Sequence, residues 1–152
     1  MVKKDSIWIL CRFDYFDKEN FANNNEQNKI LKILQNVNIP LSSIIKEEYE
    51  KKGLILFGEI FKSIIFSRFQ IIFTNIKFRI FIIRASNKYK KEISLLSQFV
   101  TICDDRFNVQ LLYIGVSLNR CKKYIKELFI RLKIEESIPL ILKELENPIH
   151  QG

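Results

Sequence analysis

The sequence predicts an α/β fold: a single domain over residues 1–152, a layered sandwich of alternating strands and helices that ends in two helices. Three observations carry that prediction. Apolar residues recur with period two in some segments and at helical spacing in others, and the segments alternate as β-α-β-α-β-α-β-α-α. At 152 residues with 47% hydrophobic content, the chain is long enough to bury a core of its own. No internal repeat and no linker composition divides it.

Ser6–Arg12 (SIWILCR) is a short run rich in Ile around Trp8, a buried-strand pattern. Asp17–Gln27, with its asparagine cluster, reads as a solvated loop. Asn28–Val37 sets Ile30, Ile33, Leu34 and Val37 at helical spacing. Pro40 stops that helix, because the residue before a proline is pushed out of the α region. Pro40–Lys46 is expected as a second strand with its proline at the start. Between Gly53 and Arg68, Phe57, Phe61, Ile64 and Ile65 make a helical stripe, in a run dense enough to hide a strand instead. Lys77–Arg84 alternates and then runs apolar, as a central strand does.

From Tyr89, apolar residues recur at Ile93, Leu96, Val100 and Cys103, one face of a helix. Lys88, Lys90 and Lys91 stand at its start and Asp104 and Asp105 at its end, the reverse of what the helix macrodipole favours. Arg106–Gly115 alternates through Phe107, Val109, Leu111 and Tyr113 as a strand. Asn119–Leu132 aligns Cys121, Ile125, Leu128 and Leu132 on one face, with Asn119 as the expected N-cap. Glu135–Leu145 is a last helix around Ile138, Ile141, Leu142 and Leu145. Pro139 fits its first turn, where the missing N–H would be unpaired anyway.

A net charge of +8 and a pI near 9.4 favour a polyanionic partner such as RNA, DNA or an acidic membrane surface. Ile, Lys, Asn and Phe dominate, whereas Ala occurs only at Ala22 and Ala85. Codon chemistry ties that bias to an AT-rich, organellar gene. The three cysteines, Cys11, Cys103 and Cys121, lie far apart without a CxxC pair, and His150 is the one histidine. Structural zinc takes about four clustered N or S ligands, so no metal site is expected. The cysteines read as small hydrophobes in a reducing compartment. The N-terminus has neither signal-peptide nor transit-peptide form. No window approaches the roughly 20 uncharged residues of a membrane span.

Catalysis needs titratable groups in fixed geometry. The carboxylate pairs Glu47–Glu48, Asp104–Asp105 and Glu135–Glu136 are adjacent, so their side chains diverge by about 100° on a helix. No phosphate loop, GxSxG or HExxH is present. The expectation is a non-enzyme with no catalytic residue, no cofactor and no small-molecule substrate. Cations are better placed: Lys3, Lys4, Arg12 and Lys18 around the first strand, Lys46 closing the second, and Lys122, Lys123 and Lys126 on one helix. Such clusters neutralise phosphates and give salt-dependent affinity. Trp8 and Tyr15 are candidates for base stacking.

The segments LLSQF, RFNVQLL and LFIRLKIEESI follow one another in an order similar to that of the ribosomal stalk-base protein of the large subunit, the tenth in bacterial nomenclature. In that family a helix with an aromatic at its end leads to a K-F-x-V strand and then to two helices joined by L-A-x-L-P-x-x-E-E-x-I. Phe107, Val109, Leu128, Leu132, Glu135, Glu136 and Ile138 match in order. The resemblance is best between Phe78 and Leu145. Arg12 stands where the family has Arg-Gly, followed here by Phe13; Lys46 keeps the basic end of the family's second strand, followed by Glu47, Glu48 and Tyr49. The family's Gly-Pro is replaced near Ile76 and Lys77, and its long C-terminal helix has no counterpart in LENPIHQG.

The resemblance implies a structural constituent of a large ribosomal subunit, mitochondrial given the composition, that binds ribosomal RNA beside neighbouring ribosomal proteins. Arg12 and Lys46, then Lys3, Lys4 and Lys18, are its expected RNA contacts, close to the first two strands. The alternative is an accessory or scaffold subunit of an organellar multiprotein complex without RNA.

Overall fold

Strand β1 (Ser6–Tyr15) divides its side chains between two cores. Ile7, Ile9, Cys11 and Phe13 enter one, while Trp8 and Leu10 enter the other. The computed structural model describes residues 5–15, 40–102 and 107–146. Within it β1 is the middle strand of a five-stranded antiparallel sheet in the order β2-β3-β1-β5-β4. The other strands are β2 (Gln70–Asn75), β3 (Ile80–Ser86), β4 (Thr101–Ile102) and β5 (Phe107–Gly115). Helices α1 (Leu41–Phe57), α2 (Glu59–Ile65) and α3 (Lys90–Phe99) contribute to the first core. Helices α4 (Leu118–Arg131) and α5 (Ile138–Leu145) build the second, from Cys121, Ile125, Phe129, Ile141 and Leu145. The result is the expected α/β sandwich with its last two helices on one face. The strict alternation is not kept among the described residues: α1 and α2, β2 and β3, and β4 and β5 follow one another directly, and the sheet is antiparallel.

Local patterns were overridden in several places. Pro40–Lys46 is not a strand: α1 starts at Leu41 and buries Leu41, Ile45 and Tyr49 at four-residue spacing. The β-branched look of SSIIK yields to that stripe, and the Pro40 carbonyl accepts the amides of Ser43 and Ile44 as the helix begins. Gly53–Arg68 is helical, but broken at Gly58, whose φ of 82° suits a residue without Cβ. Of its expected stripe only Ile65 is fully buried, while Phe61 and Ile64 are exposed. Gln70–Asn75 adds a strand that the sequence did not separate from its neighbours, and the expected central strand begins at Ile80, after a turn.

Helix α3 ends at Phe99, so Val100 lies beyond it, and Cys103, Asp104 and Asp105 lie outside the described residues. The loop and helix expected between Asp17 and Val37 lie outside them too. The lysines do open α3. Cations there cost about 0.3–1 kcal/mol, whereas fully burying Ile93 and Leu96 contributes about 1.5–3 kcal/mol each, so packing wins.

Strand β5 alternates only as far as Leu111. The register slips at Leu112, where Leu10 pairs with Tyr113 and Cys11 with Leu111. This bulge turns Tyr113 to the α4 side, away from the face of Phe107, Val109 and Leu111. The N-cap of α4 is Ser117, not Asn119: its side chain accepts from the Arg120 amide at 3.3 Å. Pro139 does occupy the first turn of α5.

Candidate nucleic-acid interface

Arg12 follows Leu10 by two residues on β1 and so shares its α4/α5 face. It lines a cleft of about 150 Å³ with Lys77, Phe78, Arg79, Leu128, Phe129, Leu132 and Ile134, among others. The β2–β3 turn supplies three of these residues. It is tied down by Asn75, whose Oδ1 accepts the Phe78 amide at 2.9 Å and whose Nδ2 donates to Glu144 Oε2 at 2.7 Å. Arg79 takes a left-handed φ of 57°, and its carbonyl accepts the Phe13 amide at 2.8 Å.

Asp14 links the cations: Arg79 Nη1 lies 3.1 Å and Arg12 Nη2 3.9 Å from its carboxylate. Arg12 and Arg79 thus share one carboxylate, and Lys77 adds a third cation to the lining of the cleft. Arg12 is held loosely, and its buried Nε has no hydrogen-bond partner among the described residues. Beneath the rim the Phe78 and Phe129 rings meet at 4.7 Å, and Lys77 Nζ stands 5.4 Å from the Phe78 centroid. A positive rim over an apolar floor suits a phosphodiester flanked by sugar or base.

Lys46 belongs to α1, on the other face of the sheet, and not to a second strand. It lines a hollow of about 340 Å³ with Ser42, Ser43, Gln70, Ile71, Ile72 and Arg84. The structure therefore does not bring Arg12 and Lys46 together. Lys3, Lys4, Lys18 and the Tyr15 side chain lie outside the described residues. Lys122, Lys123 and Lys126 do converge, lining with Asn119, Leu142 and Glu146 a hollow of about 620 Å³ between α4 and α5.

Arg84 was missed. It is exposed, and its guanidinium sits 5.4 Å from the Trp8 ring centroid. Trp8 is half-buried against the second core, so it is partly the core residue a lone strand aromatic usually is. The signal was in the strand pattern: Arg84 interrupts the apolar alternation of Ile80 and Ile82 on one face.

The thiols are placed for packing. Cys11 and Cys121 are free and buried, one in each core. Burial pushes both up to about 12, which keeps them protonated and poorly nucleophilic at neutral pH.

No family model matches the sequence, and no curated protein matches it. Among solved structures, a chain of the cryo-EM structure of yeast ribonuclease MRP is similar, with a TM-score of 0.51 and 13% identity. The likeness covers 88% of this chain and 98% of that one. At such low identity it is a likeness of fold, extending over nearly the whole of that chain.

Proposed function

We propose that this protein is a non-catalytic subunit of an RNA–protein particle. The observation that carries the reading is the fold likeness, nearly end to end, to a chain of ribonuclease MRP, an RNA–protein complex. The charge of +8 supports it, as do cationic surfaces on both sides of the sheet. Cations spread over several faces suit a subunit set among folded RNA segments, where phosphate contacts position the protein. A ribonuclease-type particle is the first candidate. The large ribosomal subunit, implied by the stalk-base resemblance, is the second, and mitochondrial residence goes with it.

Protein neighbours are part of the reading. Leu54, Ile55, Leu56, Ile60, Phe61 and Ile64 are exposed within eleven residues, Ile55 at 74% and Ile60 at 80%. An apolar surface of that kind favours contact with another protein. It also supports the scaffold alternative without RNA.

Sedimentation of the native protein through sucrose gradients at low and high salt tests these readings. The expected result is a fast-sedimenting particle that contains a discrete RNA and collapses on ribonuclease treatment. Unchanged sedimentation after ribonuclease overturns the RNA reading in favour of the scaffold. Co-migration with large subunits would select the ribosome, and organelle fractionation tests the mitochondrial location. Within the particle, Arg12→Glu combined with Lys46→Glu is expected to lower RNA retention as salt rises. Full retention removes both residues from the RNA contacts.

A further inference from the structure

The strand register lines up four residues across four neighbouring strands. Gln70 on β2 pairs with Arg84 on β3, Arg84 with Trp8 on β1, and Trp8 with Gly115 on β5. Arg84 and Trp8 point to the α4/α5 side, because Ile82 and Leu10, two residues further along, lie in that core. The next row inward, Phe73, Ile82, Leu10 and Tyr113, is packed against α4 and α5. The outer row is open over three of its four positions: Gln70 and Arg84 are exposed and Trp8 is half-buried, whereas Gly115 is buried.

The chemistry of this row is that of a stacking surface. The Arg84 guanidinium lies over the Trp8 indole, and no carboxylate pairs with Arg84 among the described residues. Gly115 leaves room for the Tyr113 ring, which closes that end of the row. A Cβ there would fall 2.7 Å from Tyr113 Cε2 and 3.3 Å from Arg120 Cβ, so the Tyr113 ring occupies that space. That ring in turn stacks on Tyr124 at 5.1 Å and 21°. Cations flank both ends, Lys46 beside Gln70 and Arg120 beside Gly115. The four strands span about 14 Å at about 4.8 Å per spacing. A four-stranded sheet stacks about two or three bases over such a width.

The geometry points to the Gln70–Arg84–Trp8–Gly115 row as a binding site for single-stranded RNA. Bases stack on the Arg84–Trp8 pair, Gln70 offers an amide to a base edge, and Lys46 and Arg120 take the flanking phosphates. This rests on the RNA-associated reading above and assigns a surface and a strand state to it. Arg12 and its cleft lie two rows away, at the far end of the helix-covered part of the sheet.

The chain has one tryptophan, so its fluorescence reports directly on the row. Full-length protein is titrated with a ten-nucleotide oligouridylate and, separately, a ten-nucleotide oligoadenylate at low salt. Trp8 emission is expected to change saturably with each, and the affinity to fall as salt is added. Arg84→Glu is expected to weaken binding at least tenfold. Lys91→Glu, an equal charge change on α3, is expected to alter it less than twofold. Binding without a change in Trp8 emission overturns the site and leaves the RNA reading standing, as does equal weakening by the two variants. If neither oligonucleotide binds, or an RNA duplex binds as well, the single-strand assignment fails, while sedimentation still decides the particle. The far-ultraviolet circular dichroism of Arg84→Glu must match the parent, and Arg84→Gln, which removes charge without reversing it, is expected to fall between the two in affinity.

Discussion

The hydroxyl of Tyr49 is one of the few polar groups in the core. Ser97 Oγ donates to the Ile93 carbonyl at 3.0 Å, so in the 2.7 Å bond between Tyr49 and Ser97 the tyrosine is the donor. Its ring packs against Phe69 at 5.3 Å and Phe81 at 6.3 Å, joining α1 to the sheet. Tyr49→Phe keeps that packing and removes one buried hydrogen bond. The expected loss is about 0.5–1.5 kcal/mol, read as a lower urea midpoint with an unchanged m-value. A variant as stable as the parent would mean the bond contributes nothing net. Nothing in the sequence marked Tyr49 as core, because it follows Glu47 and Glu48 in what resembled the polar end of a strand. Trp8 and Arg84 were equally hidden as a pair. Seventy-six positions separate them, and only the β1–β3 register makes them neighbours.

At the scale of elements, periodicity succeeded where one face alone is buried. Helix α4 is the clearest case, with Cys121 and Ile125 inward and Lys123 and Lys126 outward, although Phe129 completes the buried stripe in place of Leu132, which is exposed, and Leu128 is half-buried. It failed where apolar residues stay outside, as between Leu54 and Ile64, and where a bulge reverses a face, as at Leu112. Neither a surface kept apolar nor a register slip has a local sequence signature. The cap of α4 was misread by two residues for a related reason: both Ser117 and Asn119 can cap, and backbone geometry chooses between them. Ser117 has the extended φ of −155° and ψ of 159° that a cap requires. Ser117→Ala is therefore expected to cost about 1 kcal/mol, while Asn119→Ala leaves thermal stability unchanged. The reverse ranking in thermal denaturation would restore Asn119 as the cap.

For the whole molecule, the two cores share one property, a buried thiol on each side of the sheet. Burial raises Cys11 and Cys121 from 9.0 to about 12, and it holds Tyr49, beside Cys11, well above its ordinary value. These acids are neutral in both folded and unfolded chains below about pH 9, so stability there does not depend on them. Above that, the unfolded chain releases protons that the folded chain retains. The unfolded state then binds fewer protons, and stability falls as pH rises, at up to about 1.4 kcal/mol per pH unit for each such group. The fall continues until the folded groups titrate near 12. Self-repulsion in a chain of charge +8 also enters the raw pH profile, which therefore mixes two effects. Comparison with a Cys11→Ala, Cys121→Ala variant separates them, since that charge is common to both proteins. The variant is expected to be less stable at pH 7, where two small cavities are its main defect. It should lose stability less steeply between pH 9 and pH 11 in urea titrations. Parallel slopes for the two proteins would mean that the thiols ionise as readily folded as unfolded, and that the cores admit water at both sites.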